Sequence, residues 1–242
     1  MQWTLIPVFS APLRLCVRQD CLVVVAIQTF GIQFLSTMSD SPDLTELNTK
    51  LKPLAHELRP DRGPCPFVVD AFDAQRVALP HYSGGRDATY VLVSRKLTGE
   101  QPPSDLAVTI RYAPFVEGTT VIYDLTDETM QGKARPFVCD LGDGTIRMYA
   151  VMPFQIESIH IRLEPSTSPP SLVVAFLDAR GELIQAALPF ELQITDSAGH
   201  EHTKQYRSTD RSGRYTSKML PANVRNCAIR SLLTGREQWL TV

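Results

Sequence analysis

Three stretches of the chain bring together side chains whose types could do chemistry. Asp124, Asp127 and Glu128 fall within one five-residue stretch. Two carboxylates facing each other across a scissile bond are the apparatus of glycoside hydrolysis. Proximity along a chain does not set that geometry, and a polar turn draws on the same residues, because Asp accepts hydrogen bonds from the backbone just after it. His200-Glu201-His202 places two imidazoles at i and i+2, on one face of a strand, where they could meet a metal, but no third ligand follows at ligand spacing. His56-Glu57 lacks the second histidine of a zinc-protease helix. Asp140-Leu-Gly-Asp-Gly144 offers oxygens to calcium without the spaced ligands and distal glutamate of an EF-hand. No G-x-S-x-G elbow or phosphate-cradling glycine loop occurs, and Ser83-Gly-Gly-Arg86 reads as a hairpin turn. No catalytic, cofactor-binding or metal-ligating residue is therefore assigned, and the pattern points away from an enzyme.

Composition narrows the alternatives. With 24 basic and 26 acidic residues the formal net charge is -2, and no basic run concentrates the charge that counterion release from nucleic acid requires. The apolar fraction of 43% over 242 residues is enough to build one large core or two small ones. The five cysteines, Cys16, Cys21, Cys65, Cys139 and Cys227, contain no C-x-x-C pair. Cys139 and Cys227 lie in apolar strand patterns, so they read as buried free thiols that pack as small hydrophobes. One disulfide stays open if the compartment is oxidising.

The elements that must position these residues are mainly strands. Val121, Tyr123 and Leu125, then Phe137 and Cys139, then Ile146, Met148 and Ala150 recur with period two between polar turns, which predicts an antiparallel meander. Residues 39–63 hold the one good helix. Ser41, Pro42 and Asp43 form a start signal, and Leu44, Leu47, Leu51, Leu54 and Leu58 make a single apolar stripe, with Pro53 expected to kink or end it. Residues 64–163 carry about seven or eight strands, the number a β-sandwich needs. Residues 164–171, with prolines at 165, 169 and 170, read as a linker. Residues 172–242 hold further strands, among them one long strand from Leu183 to Thr195. These strands are divided by the turns Asp178-Ala-Arg-Gly181, Asp196-Ser-Ala-Gly199, Asp210-Arg-Ser-Gly213 and Leu233-Thr-Gly-Arg236, the spacing of an all-β module. Trp239, on the last strand, is expected in the core in preference to a sugar-stacking surface.

Residues 1–38 differ from the rest. Cys21 to Leu35 is nearly continuous apolar sequence, open to three readings: an export or anchoring segment, a helix packed in the fold, or a stretch that either precedes a translation start at Met38 or is not part of a folded unit. Membrane contact is expected only if Cys21 to Leu35 is an anchor.

The phrase Val121-x-Tyr123-Asp124-Leu125, a turn, Phe137-x-x-Asp140-Leu141, then Gly144-x-x-Arg147 and Pro153 resembles the C-terminal β-sandwich that follows the catalytic barrel in many glycoside hydrolases. Ala88 to Arg95 resembles the first strand of such modules. Residues 172–242, with their D-x-x-G hairpins, Asp210-x-x-Gly213-x-Tyr215 and the closing Leu232, Thr234 and Gly235, resemble immunoglobulin-like or macroglobulin-like repeats of large extracellular bacterial proteins. The resemblance implies two antiparallel, immunoglobulin-like β-sandwich domains with one N-terminal helix, no catalytic barrel and no catalytic residue of its own. The function it implies is that of an accessory or interaction module, secreted or envelope-associated, holding a carbohydrate weakly or capping a protein partner through the Leu44, Leu47, Leu51, Leu54, Leu58 stripe. That stripe could instead pack on the chain's own sandwich. Two rivals stand beside this reading: an envelope-anchored adhesion protein, and a small hydrolase with a site built from Asp124, Asp127, His160 or His81.

Overall fold

A computed structural model of the chain describes residues 22–28, 31–37, 42–95, 106–116, 120–133, 135–141, 146–164, 171–198, 200–217, 220 and 224–242, with side chains described from residue 49 onward except at 201–203. Within these residues the fold is mainly β, with several antiparallel sheets and one α-helix.

The apolar N-terminal stretch is a hairpin. β1 (Leu22–Gln28) and β2 (Gly31–Thr37) pair antiparallel in unbroken register from Leu22↔Thr37 to Gln28↔Gly31. Val23, Val24, Val25 and Ile27 are stiff at χ1 and favour the extended backbone. This corrects the reading of Cys21 to Leu35 as a helix packed in the fold. No helix among the described residues is long and apolar enough to cross a membrane. The helix α1 (Pro42–Glu57) runs through Pro53 in one piece instead of ending there.

The largest sheet has seven strands. β10 (Thr129–Lys133), β9 (Val121–Asp124), β12 (Arg147–Met152), β7 (Thr89–Arg95), β6 (His81–Ser83) and β3 (Arg59–Pro60) follow in that order, and β5 (Val77–Ala78) pairs with the end of β7. A three-stranded sheet of β11 (Phe137–Asp140), β8 (Ala107–Tyr112) and β4 (Phe67–Val68) lies against it. The meander expected over residues 121–150 is thus not made. β9 pairs directly with β12, while β11 leaves to pair with β8, Cys139 opposite Val108.

The seven-stranded sheet is apolar on both faces. Val91, Val93, Ile122, Tyr149 and Val151 face the three-stranded sheet and share a core with Phe67, Val108, Ile110 and Cys139. Their alternate neighbours Tyr90, Leu92, Val121, Tyr123, Met148, Ala150 and Met152 face the other way into a larger core. Side chains alternate across a strand, so a run such as Tyr90-Val91-Leu92-Val93 can fill two cores at once.

The larger core is completed by the C-terminal half. β13 (Ser158–Glu164), β14 (Ser171–Leu177) and β17 (Arg214–Thr216) form one sheet, and β16 (Glu201–Ser208), β15 (Pro189–Asp196), β18 (Val224–Ser231) and β19 (Glu237–Thr241) another. β13 is hydrogen-bonded to β14 from Ser158↔Leu177 to Glu164↔Ser171, so the proline-rich stretch after residue 164 joins two strands of one sheet. Leu172, Val174 and Phe176 of one sheet and Phe190, Leu192, Ile194, Cys227 and Ile229 of the other enter the same core as the seven-stranded sheet. The strand expected from Leu183 begins only at Pro189. The preceding residues cross instead to the first half, where Gly85 bridges Ala186 and the Ala187 N–H donates to the Gly84 carbonyl at 2.7 Å.

α1 lies against β2 and against β15 and β16. Leu51, Leu54, Ala55 and Leu58 are buried in the larger core. The lower half of the leucine stripe is therefore covered by the chain's own sheets. That withdraws Leu51, Leu54 and Leu58 from the partner surface expected for them; the side chains of Leu44 and Leu47 lie outside the described residues.

The D-x-x-G turns fold as one repeated device. The Asp178 Oδ1 accepts the N–H groups of Arg180 and Glu182, and Asp196 Oδ1 those of Ala198 and His200. Asp210 Oδ1 does the same for Ser212 and Arg214. Gly181 and Gly213 take the positive φ, 77° and 86°, that closes the loop. Gly213 is also a point of close approach, since a Cβ there would sit 2.0 Å from the Ile184 carbonyl oxygen.

Candidate functional site

The three candidate carboxylates lie where β9 turns into β10. Asp124 is buried, and its Oδ1 accepts the N–H of Thr126 at 2.8 Å and of Asp127 at 3.3 Å, capping its own turn. Arg147, on the neighbouring strand, places Nη1 2.5 Å from Asp127 Oδ2 and 3.7 Å from Asp124 Oδ2. Burial pushes the Asp124 carboxyl above the ordinary aspartate range, and the charge of Asp127 adds to this. The two backbone N–H groups and Arg147 pull the other way without cancelling the rise. Both aspartates thus converge on one guanidinium, whereas a hydrolytic pair has to face a gap that admits a glycosidic bond.

Glu128 is turned out of that pair by its backbone. It is the one non-glycine residue at positive φ among the described residues, at 52°. The left-handed backbone aims its side chain at Lys50 of α1, whose Nζ donates to Oε1 at 2.8 Å, and at Arg230 of β18, whose Nη1 donates to Oε2 at 2.5 Å. Arg230 Nη2 continues to Glu191 Oε2 of β15 at 3.2 Å, and Lys204 Nζ of β16 meets Glu191 Oε1 at 3.1 Å. Burial alone would raise the Glu128 carboxyl, but the hydrogen bonds and charges of the two cations outweigh it and hold it below the usual glutamate range. The network links the helix, the β9–β10 turn and the C-terminal sheet. Nothing in sequence order signals it, because Lys50 and Arg230 lie 78 and 102 residues away from Glu128. Arg147, Arg230 and Lys50 are the residues that reading the sequence missed.

The remaining candidates do not converge on this turn. His81 Nε2 lies 2.9 Å from the Gly63 carbonyl oxygen, and His160 stands exposed on β13, opposite Ala175 in another sheet. His200 is exposed, with Nδ1 3.5 Å from Asp196 Oδ2, and the side chain of His202 lies outside the described residues. Asp140 sits in β11 opposite Ala107, while residues 142–145 of the glycine-rich turn lie outside the description. His56 is exposed in the last turn of α1, where its backbone carbonyl accepts from Arg59 Nη1. Ser83 Oγ donates to the Gly85 carbonyl within the expected hairpin turn and accepts from Arg211 Nη2. Among the described residues no three His, Cys, Asp or Glu side chains gather as a metal site. Cys65, Cys139 and Cys227 are free thiols whose titration burial pushes up, to about 11 for Cys227; Cys16 and Cys21 fall outside the described residues.

Trp239 reverses the expectation made for it. It is 56% exposed. β19 is the edge strand of its sheet, and Leu240, paired with buried Cys227, packs on the core. Side chains alternate, so Trp239 must point outward. Directly paired residues share a face, which places Trp239 beside Ala228 and Gln193, Thr241 beside Asn226 and Thr195, and Glu237 beside Arg230 and Glu191. Ala228 is buried, while Gln193, Thr195 and Asn226 are part-exposed and Thr241 is exposed. The outward surface is therefore polar and carries one large exposed aromatic ring.

No family model matches the chain, and no curated protein matches it. Among solved structures it is similar to a beta-galactosidase candidate from Bacteroides fragilis, with 15% identity and a TM-score of 0.22, over 72% of this chain and 35% of that one. The chain thus spans about a third of the length of that protein.

Proposed function

We propose that the chain is a non-catalytic accessory or interaction module, built as two immunoglobulin-like β-sandwiches that share one core, and that it works by presenting surface. The observation that carries this reading is the commitment of the candidate carboxylates to structure. Asp124 caps its own turn, Asp127 pairs with Arg147 and Glu128 joins the helix to the C-terminal sheet. A general acid or nucleophile must be free to meet substrate, and must exchange a proton or form a bond without dismantling its own support. The sequence resemblance to modules that follow glycosidase barrels supports the same role, and a secreted or envelope location with a carbohydrate or a protein as partner belongs to the proposal. The test is turnover of a panel of aryl glycosides and sugar esters by the purified full chain. No turnover above that of buffer is expected. Hydrolysis that disappears in Asp124→Asn, in a protein still folded by circular dichroism, would overturn the proposal in favour of a small hydrolase.

A further inference from the structure

We draw no further inference here: the strongest candidate, the outward face of the β11–β8–β4 sheet with Val68 and Val138 exposed on its two edge strands, carries nothing because nothing among the described residues shows what covers it.

Discussion

Glu128 offers a prediction in which backbone and charge can be separated. Its carboxylate accepts from Lys50 and Arg230, and the two acid–base pairs are mostly buried, with side-chain exposures of 19% for Glu128, 18% for Lys50 and 31% for Arg230. Hydrogen bonds to charged groups contribute about 1.5–3 kcal/mol each, and solvent screening of the partly exposed Arg230 reduces its share. Glu128→Gln, which keeps the shape and removes the charge, is therefore expected to cost about 2 kcal/mol. In a chain of this size that is a fall in Tm of about 4–8 °C. Glu128→Ala and Glu128→Gly both lose these interactions outright, but the glycine also relieves a left-handed residue, worth about 1–2 kcal/mol. The added freedom of glycine in the unfolded chain takes back about 0.5–1 kcal/mol. The glycine variant should thus melt up to about 6 °C above the alanine variant, though below the native protein.

The pH dependence adds a sign. The folded-state pKa of Glu128 is lowered, so its contribution is present above the unfolded glutamate pKa and is lost as pH falls through the folded value. The native protein and Glu128→Gln should differ at pH 7 and converge in acid. The assay is urea denaturation across pH, with differential scanning calorimetry for Tm. A glycine variant less stable than the alanine variant would refute the claim of backbone strain. A gap between native and glutamine proteins that persisted unchanged in acid would refute the ionic assignment.

Further outcomes follow from the same geometry. Asp124→Ala orphans two turn N–H groups and should cost about 1–3 kcal/mol in urea denaturation, while Asp124→Asn, which can still accept them, should cost clearly less. Because burial raises the Asp124 pKa, its protonation favours the folded state, and this contribution declines as pH rises from the unfolded pKa through the folded one. Asp124→Asn should flatten that decline. Gly213→Ala would drive a methyl into the Ile184 carbonyl and should leave little folded protein on expression, whereas Gly181→Ala, with nothing within 4 Å, should cost about 1 kcal/mol for its positive φ alone. Leu54→Ala, fully buried at the helix–sheet contact, should destabilise by about 2–5 kcal/mol by denaturant titration; a loss under 1 kcal/mol would mean that α1 does not pack on the core.

Wherever the determinant was local, it could be read from residues. The three D-x-x-G turns, the helix start region and the period-two strands were legible because the Asp side chain, the glycine φ and the alternation of a strand act within a few residues of themselves. Trp239 could also have been placed. Once Leu240 on the last strand is taken as the inward residue, its neighbour must face out, and only the general preference of tryptophan for burial argued otherwise. The carboxylate cluster was legible as a polar turn, but its counter-charges were not.

Tertiary structure decided which strands pair and which faces are covered. Alternation marks Phe137 to Cys139 as a strand without saying that it joins β8 instead of β9, since any strand edge offers the same backbone donors and acceptors. The run Tyr90 to Val93 is apolar at every position, and only a second layer of sheet and helix on its far side explains why. Glu128 acquires its role from a helix and a strand far away in sequence, and Leu51, Leu54 and Leu58 find their cover in the chain's own C-terminal sheet. Sequence determined the local conformations through short-range sterics and hydrogen bonding. Sheet order, two-sided burial and the ion network came from long-range packing, which pattern along the chain does not encode one segment at a time.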